Sequence, residues 1–185
     1  MPKTIASISI ENVVTSASVN QSIDLITITR LFPDVEYHPE QFPGLVFRLK
    51  SPKTATLIFS SGKMVCTGAK SEAQARKAVE TVVQKLRKAG IDIKNEPIIE
   101  IQNIVASASL GGKINLEKAA GVLEHTMYEP EQFPGLIYRM DDPKTVILLF
   151  ASGKLVCTGA KKEEEVYRAV EKLHEILEEK GLMTY

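Results

Sequence analysis

A chain of 185 residues is long enough for one domain with a sizeable core or for two small ones. At 44% hydrophobic and 25% charged it has the composition of an ordinary soluble globular protein. No apolar run approaches the roughly 18 residues of a membrane span, and Met1-Pro2-Lys3-Thr4 has no signal-peptide core behind it, so an intracellular protein with no membrane partner is expected. The net charge of +0 removes the simplest argument for a nucleic-acid partner, a strongly basic chain, so such a case must rest on where the charges sit.

In chain order, Thr4 to Val19 is rich in Ile, Val, Ser and Thr with rough alternation. It reads as a strand whose even positions Ile8, Ile10, Asn12 and Val14 share one face. Ile23 to Arg30 reads as strand by its β-branched content. A second copy of the stretch, described below, runs Ile114-Asn115-Leu116-Glu117-Lys118-Ala119-Ala120, a helix-former run, and Asp24 and Asn115 can each cap a helix, so a short helix is expected in both places. Pro39 and Pro43-Gly44 bracket a turn. Leu45 to Leu49, Thr54 to Ser60 and Lys63 to Ala69 are then short strands joined at Ser51-Pro52-Lys53 and Ser60-Ser61-Gly62, which makes an antiparallel meander. Ser71 to Lys88 is the clearest helix: Ser71 and Gln74 form a capping box, Ala75, Val79, Val82, Val83 and Leu86 form an apolar stripe, and Gly90 stops it.

At an offset of 91 residues the chain repeats itself without a gap. Glu40 to Lys70 returns as Glu131 to Lys161 with 21 of 31 positions identical, Glu11-Asn12-Val13-Val14 meets Gln102-Asn103-Ile104-Val105, and Gly90 meets Gly181. The second long helix opens with Glu163-Glu164-Glu165, favourable at a helix N-terminus, and carries Val166, Val170, Leu173 and Leu177. The expected fold is α+β: repeats 1–92 and 93–185 in one body, each a meander of about five strands with its helices on one side, about ten strands in all. Cys66 and Cys157 fall on twin positions inside strands, which suits buried free thiols rather than a disulfide, and two cysteines cannot make a four-ligand metal site.

Alternation divides each strand between two faces. If the long helix covers Met64 and Cys66, then Asn12, Val14, Leu57, Phe59, Val65 and Thr67 lie on a face that no helix covers. Doubled by the second copy, that apolar surface is larger than a soluble monomer leaves bare, so something must cover it. Phe42 beside Pro43-Gly44 and Phe59 beside Ser60-Ser61-Gly62, with their twins Phe133 and Phe150, can project from the sheet margins; the plain alternative is four core residues. Arg48, Lys53, Lys63 and Lys70 return as Arg139, Lys144, Lys154 and Lys161, while on the long helices Lys85, Arg87 and Lys88 face Ile176, Glu178 and Glu179. Positive charge therefore gathers around the sheet, and the second long helix is acidic. Each of these lysines taken singly reads better as a solvated turn residue, so it is their repetition that counts.

The tandem Gln-Phe-Pro-Gly blocks, the Ser-Gly-Lys-(Met/Leu)-Val-Cys-Thr-Gly-Ala-Lys blocks, and Asn12-Val13-Val14 with Asn103-Ile104-Val105 resemble the core of the TATA-binding proteins, from about Ile5 to about Leu177. The absence of an extension before that core makes the resemblance archaeal rather than eukaryotic. It implies a saddle: a curved antiparallel sheet with helices on the convex face only, seated on the minor groove of TATA-box DNA. It also implies wedges at Phe42, Phe59, Phe133 and Phe150, donors to minor-groove acceptors at Asn12, Asn103, Thr67 and Thr158, and apolar contacts from Val14, Leu57, Val65, Val105, Leu148 and Val156. Phosphates would be held by the eight paired basic residues, Arg48, Lys53, Lys63, Lys70, Arg139, Lys144, Lys154 and Lys161. The family is the standard example of minor-groove kinking, so the size of its bend belongs to the family and is not read from these residues.

The chemistry of the residues agrees with that implication. The minor groove of A·T pairs is a row of acceptors, and a face with few donors and much apolar surface has no partner for the guanine amino group. By the same resemblance, transcription factor B docks on Glu129, Glu131 and Gln132, RNA polymerase is an indirect partner, and the protein works on the nucleoid in the cytoplasm of an archaeal cell. A homodimer of the free protein through its apolar face is a further expectation, and no cofactor is expected. The competing class is an interaction scaffold whose bare sheet packs a partner protein. An enzyme is third: His38, His125 and His174 face Glu129, Asp34 and Val83 in the other copy, and no Gly-rich phosphate loop appears.

Overall fold

The computed structural model describes residues 7–185, so Thr4 to Ala6 of the first expected strand lie outside the described residues. The chain forms two compact units, one of Asn12–Gln102 and the other of Asn103–Tyr185 with the segment that ends at Glu11. The first unit contains β1 (Ser7–Ser18) from Asn12 on, α1 (Leu25–Leu31), β2 (Glu36–Tyr37), β3 (Leu45–Lys50), β4 (Lys53–Ile58), β5 (Lys63–Ala69), α2 (Glu72–Lys88) and the start of β6 (Ile98–Ser109). Its strands are hydrogen-bonded in the order β2-β3-β4-β5-β1. The second unit contains the rest of β6, β7 (Lys113–Ile114), α3 (Leu116–Val122), β8 (Thr126–Met127), β9 (Leu136–Asp141), β10 (Lys144–Leu149), β11 (Lys154–Ala160), α4 (Glu163–Glu179) and β12 (Met183–Thr184). There the order is β6-β11-β10-β9-β8, and β12 pairs with β7 in a small sheet of its own. Among the described residues these are two tandem repeats with five antiparallel main-sheet strands each and four helices in all.

The local chemistry explains the elements. In the stretch where β-branched residues favour a strand, Asp24 accepts hydrogen bonds from the Ile26 and Thr27 N–H groups and α1 forms; Asn115 does the same for α3 through Lys118 N–H. Leu25 and Ile28 then bury one side of α1 against the sheet, and tertiary packing overrides propensity. At α2 the Ser71 hydroxyl accepts from Gln74 N–H at 3.0 Å, while the Gln74 side chain reaches back to Lys70 N–H at 3.0 Å. Gly90, at φ 107°, closes the helix, with Gly90 N–H on Arg87 O and Ile91 N–H on Leu86 O. Helix α4 starts at Lys162 without a side-chain cap, although the backbone there is as extended as at Ser71. Lys162→Ser is therefore expected to stabilise the protein, and Ser71→Lys to destabilise it, each by about 1 kcal/mol in denaturant melts.

Both helices of the first unit pack on one side of its sheet. Ala78, Val79, Val82, Val83 and Leu86 of α2 meet Leu45, Phe47, Leu49, Ile58, Met64 and Cys66 in one buried core, with Ile28 of α1 beside them. Every second residue of β3, of β4 and of β5 as far as Thr67 is buried on the side of that core, and the alternate residues stay half-exposed or exposed on a face that carries no helix. Beyond Thr67 the register shifts, and Ala69, which alternation alone would set beside Val65 and Thr67, is buried. In the second unit Val166, Ala169, Val170, Leu173 and Leu177 of α4 are buried in the same pattern, with Leu155 and Cys157 of β11. One buried row differs in polarity between the copies: the Thr15 and Thr56 hydroxyls are buried beside Cys66 without a hydrogen-bond partner, at most facing its weakly bonding thiol, where the twin positions hold Ala106 and Ile147.

Candidate nucleic-acid interface

In the unit Asn12–Gln102 the open face holds Asn12 and Val14 on β1, Leu57 on β4, and Val65 and Thr67 on β5, all half-buried, while their neighbours Val13, Ile58, Met64 and Cys66 point into the core. The register sets Leu57 beside Val65 and Ala55 beside Thr67. Asn12 Nδ2 donates to Thr67 Oγ1 at 2.9 Å, and Gly68 N–H donates to Asn12 Oδ1 at 2.7 Å. The second unit repeats the arrangement with Asn103, Val105, Leu148, Val156 and Thr158. Leu148 pairs with Val156, Asn103 Nδ2 reaches Thr158 Oγ1 at 3.1 Å, and Gly159 N–H reaches Asn103 Oδ1 at 2.7 Å. Ile8 and Ile10, expected on the face of Asn12, belong to the other unit, where Ser7 and Ser9 line the hollow beside Phe150.

The expected phenylalanines stand at the margins. Phe42 closes a turn in which Gln41 and Phe42 N–H groups both bond His38 O, and it is 43% exposed. Phe59 falls one residue beyond β4, not inside a strand running to Ser60: its N–H bonds Lys63 O while Gly62 N–H bonds Phe59 O, so the ladder ends in a tight turn. The two rings meet edge to face with centroids 5.9 Å apart, and Phe133 and Phe150 repeat the pair at 5.9 Å. Gly44 and Gly135 make the contact possible, because a Cβ on Gly44 would stand 2.6 Å from Phe42 and 3.0 Å from Phe59. The Phe-Pro-Gly motif carried this pairing, and spacing alone did not reveal it. The other two phenylalanines, Phe32 and Phe47, form an edge-to-face pair in the first unit's core. Beside Phe59 lies a hollow of about 630 Å³ lined by Ser16, Lys63, Ile98 and Glu100; beside Phe150 lies one of about 570 Å³ lined by Ser7, Ser9, Ser109 and Lys154.

All eight paired basic residues are exposed: Arg48, Lys53, Lys63 and Lys70 in one unit, Arg139, Lys144, Lys154 and Lys161 in the other. Arg48, Lys53 and Lys63 share the alternation of the open face. Sequence reasoning missed that Arg48 Nη1 already contacts Glu36 Oε2 at 2.6 Å, a bond that holds the Glu36 carboxyl below the usual range. The twin of Glu36 is Met127, so Arg139 meets no carboxylate there. Lys53 stands opposite Lys50 in the ladder, whereas Lys144 stands opposite Asp141.

The turn at Tyr128 to Gln132 has the build of its twin: Gln132 and Phe133 N–H groups bond Glu129 O, and Glu129, Pro130 and Glu131 are exposed. Cys66 and Cys157 are free and buried, and burial pushes both thiols up, Cys157 to about 11. Among the described residues there is no group of three or more His, Cys, Asp or Glu that could hold a metal, and no helix long and apolar enough to cross a membrane.

The family whose sequence model matches is described as transcription factor TFIID (or TATA-binding protein, TBP), and it matches residues 7–89 and again 98–180. The TATA-box-binding protein of Pyrodictium occultum is 59% identical over 168 residues, 91% of this chain and 84% of the relative. That of Sulfolobus acidocaldarius is 56% identical over 174 residues, 94% of this chain and 88% of the relative. The solved structure of Methanococcus jannaschii TBP superposes with a TM-score of 0.84 at 51% identity, covering 94% of this chain and 99% of that one. A family model matched in both repeats, relatives above half identity and a solved structure of the same fold together place this chain in the TATA-binding protein family.

Proposed function

We propose that this chain is a general transcription initiation factor, and not an enzyme, that binds the TATA element of double-stranded DNA through the minor groove, kinks it with phenylalanine wedges, and nucleates the RNA polymerase initiation complex through transcription factor B. The observation that carries the reading is the open face found in each unit: half-buried apolar side chains around one Asn–Thr pair, bounded by an edge-to-face pair of phenylalanines. In this reading Val14, Leu57 and Val65, with Val105, Leu148 and Val156, press on sugars and base edges. Asn12, Thr67, Asn103 and Thr158 give hydrogen bonds to adenine N3 and thymine O2. Phe42 and Phe59 open one base step, and Phe133 with Phe150 opens another. Each opened step costs a few kcal/mol, offset by the apolar surface that the bent duplex then covers.

Lys53, Lys63, Lys70, Lys144, Lys154, Lys161 and Arg139 hold phosphates, and Arg48 joins them on leaving Glu36. The functional repeats are 1–92 and 93–185, a division supported by the doubled family match. The TATA-box-binding relatives at 56% and 59% identity support the DNA target, and the archaeal setting follows from the same relatives. Transcription factor B is assigned to Glu129, Glu131 and Gln132, and a homodimer through the open face would compete with DNA.

A short A·T-rich duplex labelled at both ends tests the reading. Saturating protein will raise end-to-end fluorescence transfer as the ends approach. Binding with unchanged transfer would remove the wedges, and a face that captured only protein would not bind the duplex at all.

A further inference from the structure

We propose that Gly68 and Gly159 are positioning residues for base selection: each glycine N–H, set free at a β-bulge, takes the side-chain oxygen of Asn12 or Asn103 and leaves that amide only donors to offer the minor groove. The proposal rests on the minor-groove reading above and refines it.

The bulges are visible in the register. β1 pairs with β5 as Val13 with Ala69 and then Thr15 with Cys66, so two steps on one strand face three on the other. β6 and β11 do the same, with Ile104 on Ala160 and Ala106 on Cys157. Gly68 and Gly159 sit in these extra steps at φ 103° and 98°, a region that side chains other than glycine rarely enter. A bulge takes a residue out of the ladder, and its N–H must find another acceptor. Here the acceptor is the asparagine oxygen, at 2.7 Å in both units.

That bond decides which way round the amide lies. Its other partner in each unit is a threonine hydroxyl, which can give or accept and so accommodates either orientation. A backbone N–H can only give. Turning the amide over would set its NH2 against the glycine N–H, two donors in contact, so Oδ1 stays at the bulge. Nδ2 then lies on threonine Oγ1, at 2.9 Å in one unit and 3.1 Å in the other. Of its two N–H bonds one goes to threonine and one remains to give. The hydroxyl, which accepts from Nδ2, keeps its own proton: it reaches back to Oδ1 at 3.2 and 3.4 Å, and it can rotate to a better acceptor. Each unit therefore presents N–H and O–H and no side-chain carbonyl. A row of adenine N3 and thymine O2 satisfies such a face everywhere, whereas the guanine amino group meets donor with donor. An overturned amide would accept from that amino group, and the discrimination would be lost.

Gly159 is the better site to test, because alanine keeps the N–H but is strained at φ 98° and can relax only by turning that N–H off Asn103 Oδ1, with little steric clash to confuse the result. An added Cβ there would lie 3.5 Å from Thr145 Cα, an ordinary contact, whereas at Gly68 it would lie 3.2 Å from Lys53 O. Two A·T-rich duplexes are compared, identical except that the central adenines of one are 2,6-diaminopurine, which adds the minor-groove amino group alone. Wild type is expected to prefer the plain duplex by about tenfold or more, and Gly159→Ala by no more than about threefold. In an Asn103→Ala background, Gly159→Ala should change the ratio by less than about twofold, because the residue through which it acts is gone. If Gly159→Ala weakens both duplexes alike and leaves the ratio unchanged, the glycine is only structural and the proposal is overturned; a change of ratio that persists without Asn103 overturns it too. Should Gly159→Ala fail to fold, amide exchange in the DNA-free protein decides: Gly159 N–H should exchange at least about tenfold faster in Asn103→Ala than in wild type, and equal protection overturns the bond. A wild type that does not bind the plain duplex contradicts the underlying minor-groove reading, a failure distinct from any of these.

Discussion

Phe150→Ala and Phe133→Ala will each weaken binding to a TATA duplex by about 10- to 100-fold, the worth of the unstacking that one wedge sustains. Lys154→Ala will lower binding to all duplexes nearly uniformly and reduce the salt slope by about one unit. The contrast follows from what each side chain touches. Lys154 is exposed at the rim of the Phe150 hollow, so on the proposed reading it would meet phosphate but no base edge. Phe133 is 40% exposed at its turn and leans edge-on against Phe150, so each ring holds the other in its projecting pose. The two substitutions should therefore be less than additive, since removing either ring also frees the one that remains. Gly135→Ala should reproduce part of the loss without removing a ring, because its Cβ would stand 2.7 Å from Phe133 and 3.0 Å from Phe150 and force them apart. Parallel titrations of TATA and random duplexes at several salt concentrations check all four variants. Equal losses on both duplexes would take the phenylalanines out of the site.

The repeat made most of the fold legible. One copy of Ile23 to Arg30 looks like a strand, and only the twin run at Ile114 to Ala120, with its capping asparagine, tips the balance to a helix. The open face was legible for the same reason, since alternation holds through β4 and through β5 as far as Thr67, and Met64 and Cys66 lie opposite Val65 and Thr67. What alternation cannot describe is a bulge. It places Asn12 and Thr67 on one face but says nothing of Gly68 turning its N–H to Asn12, because the extra residue exists only in the register between two strands. The ring pairs, the Arg48–Glu36 contact and the buried Thr15 and Thr56 hydroxyls are likewise facts of packing between segments far apart in the chain, and a one-dimensional period carries no sign of them.

Charge reversal at the second turn, Glu129→Arg with Glu131→Arg, will abolish the ternary complex with transcription factor B while leaving the binary complex with DNA intact or slightly tighter. The turn is rigid: Pro130 fixes one backbone angle, and the Gln132 and Phe133 N–H groups both close on Glu129 O at 3.0 Å. Its two glutamates are exposed, and the turn leads directly into Phe133. If Phe133 enters the duplex, these carboxylates lie within a screening length of phosphate, where they cost binding energy unless a basic partner stands between. The first unit closes the same turn on His38 O, with Pro39 and Glu40 in place of Pro130 and Glu131 and no carboxylate at position 38. The turns are thus alike in backbone and unlike in charge, and on the proposed reading a basic partner would choose the second. Two arginines in place of two glutamates turn that attraction into repulsion toward the partner and into attraction toward DNA, so the binary and ternary affinities should move in opposite directions. Gel shifts with and without the factor measure both at once. A ternary complex that forms as well with the double variant as with wild type would sink the assignment, and a binary complex weakened by the same change would mean that the glutamates hold the turn and Phe133 in place rather than face phosphate.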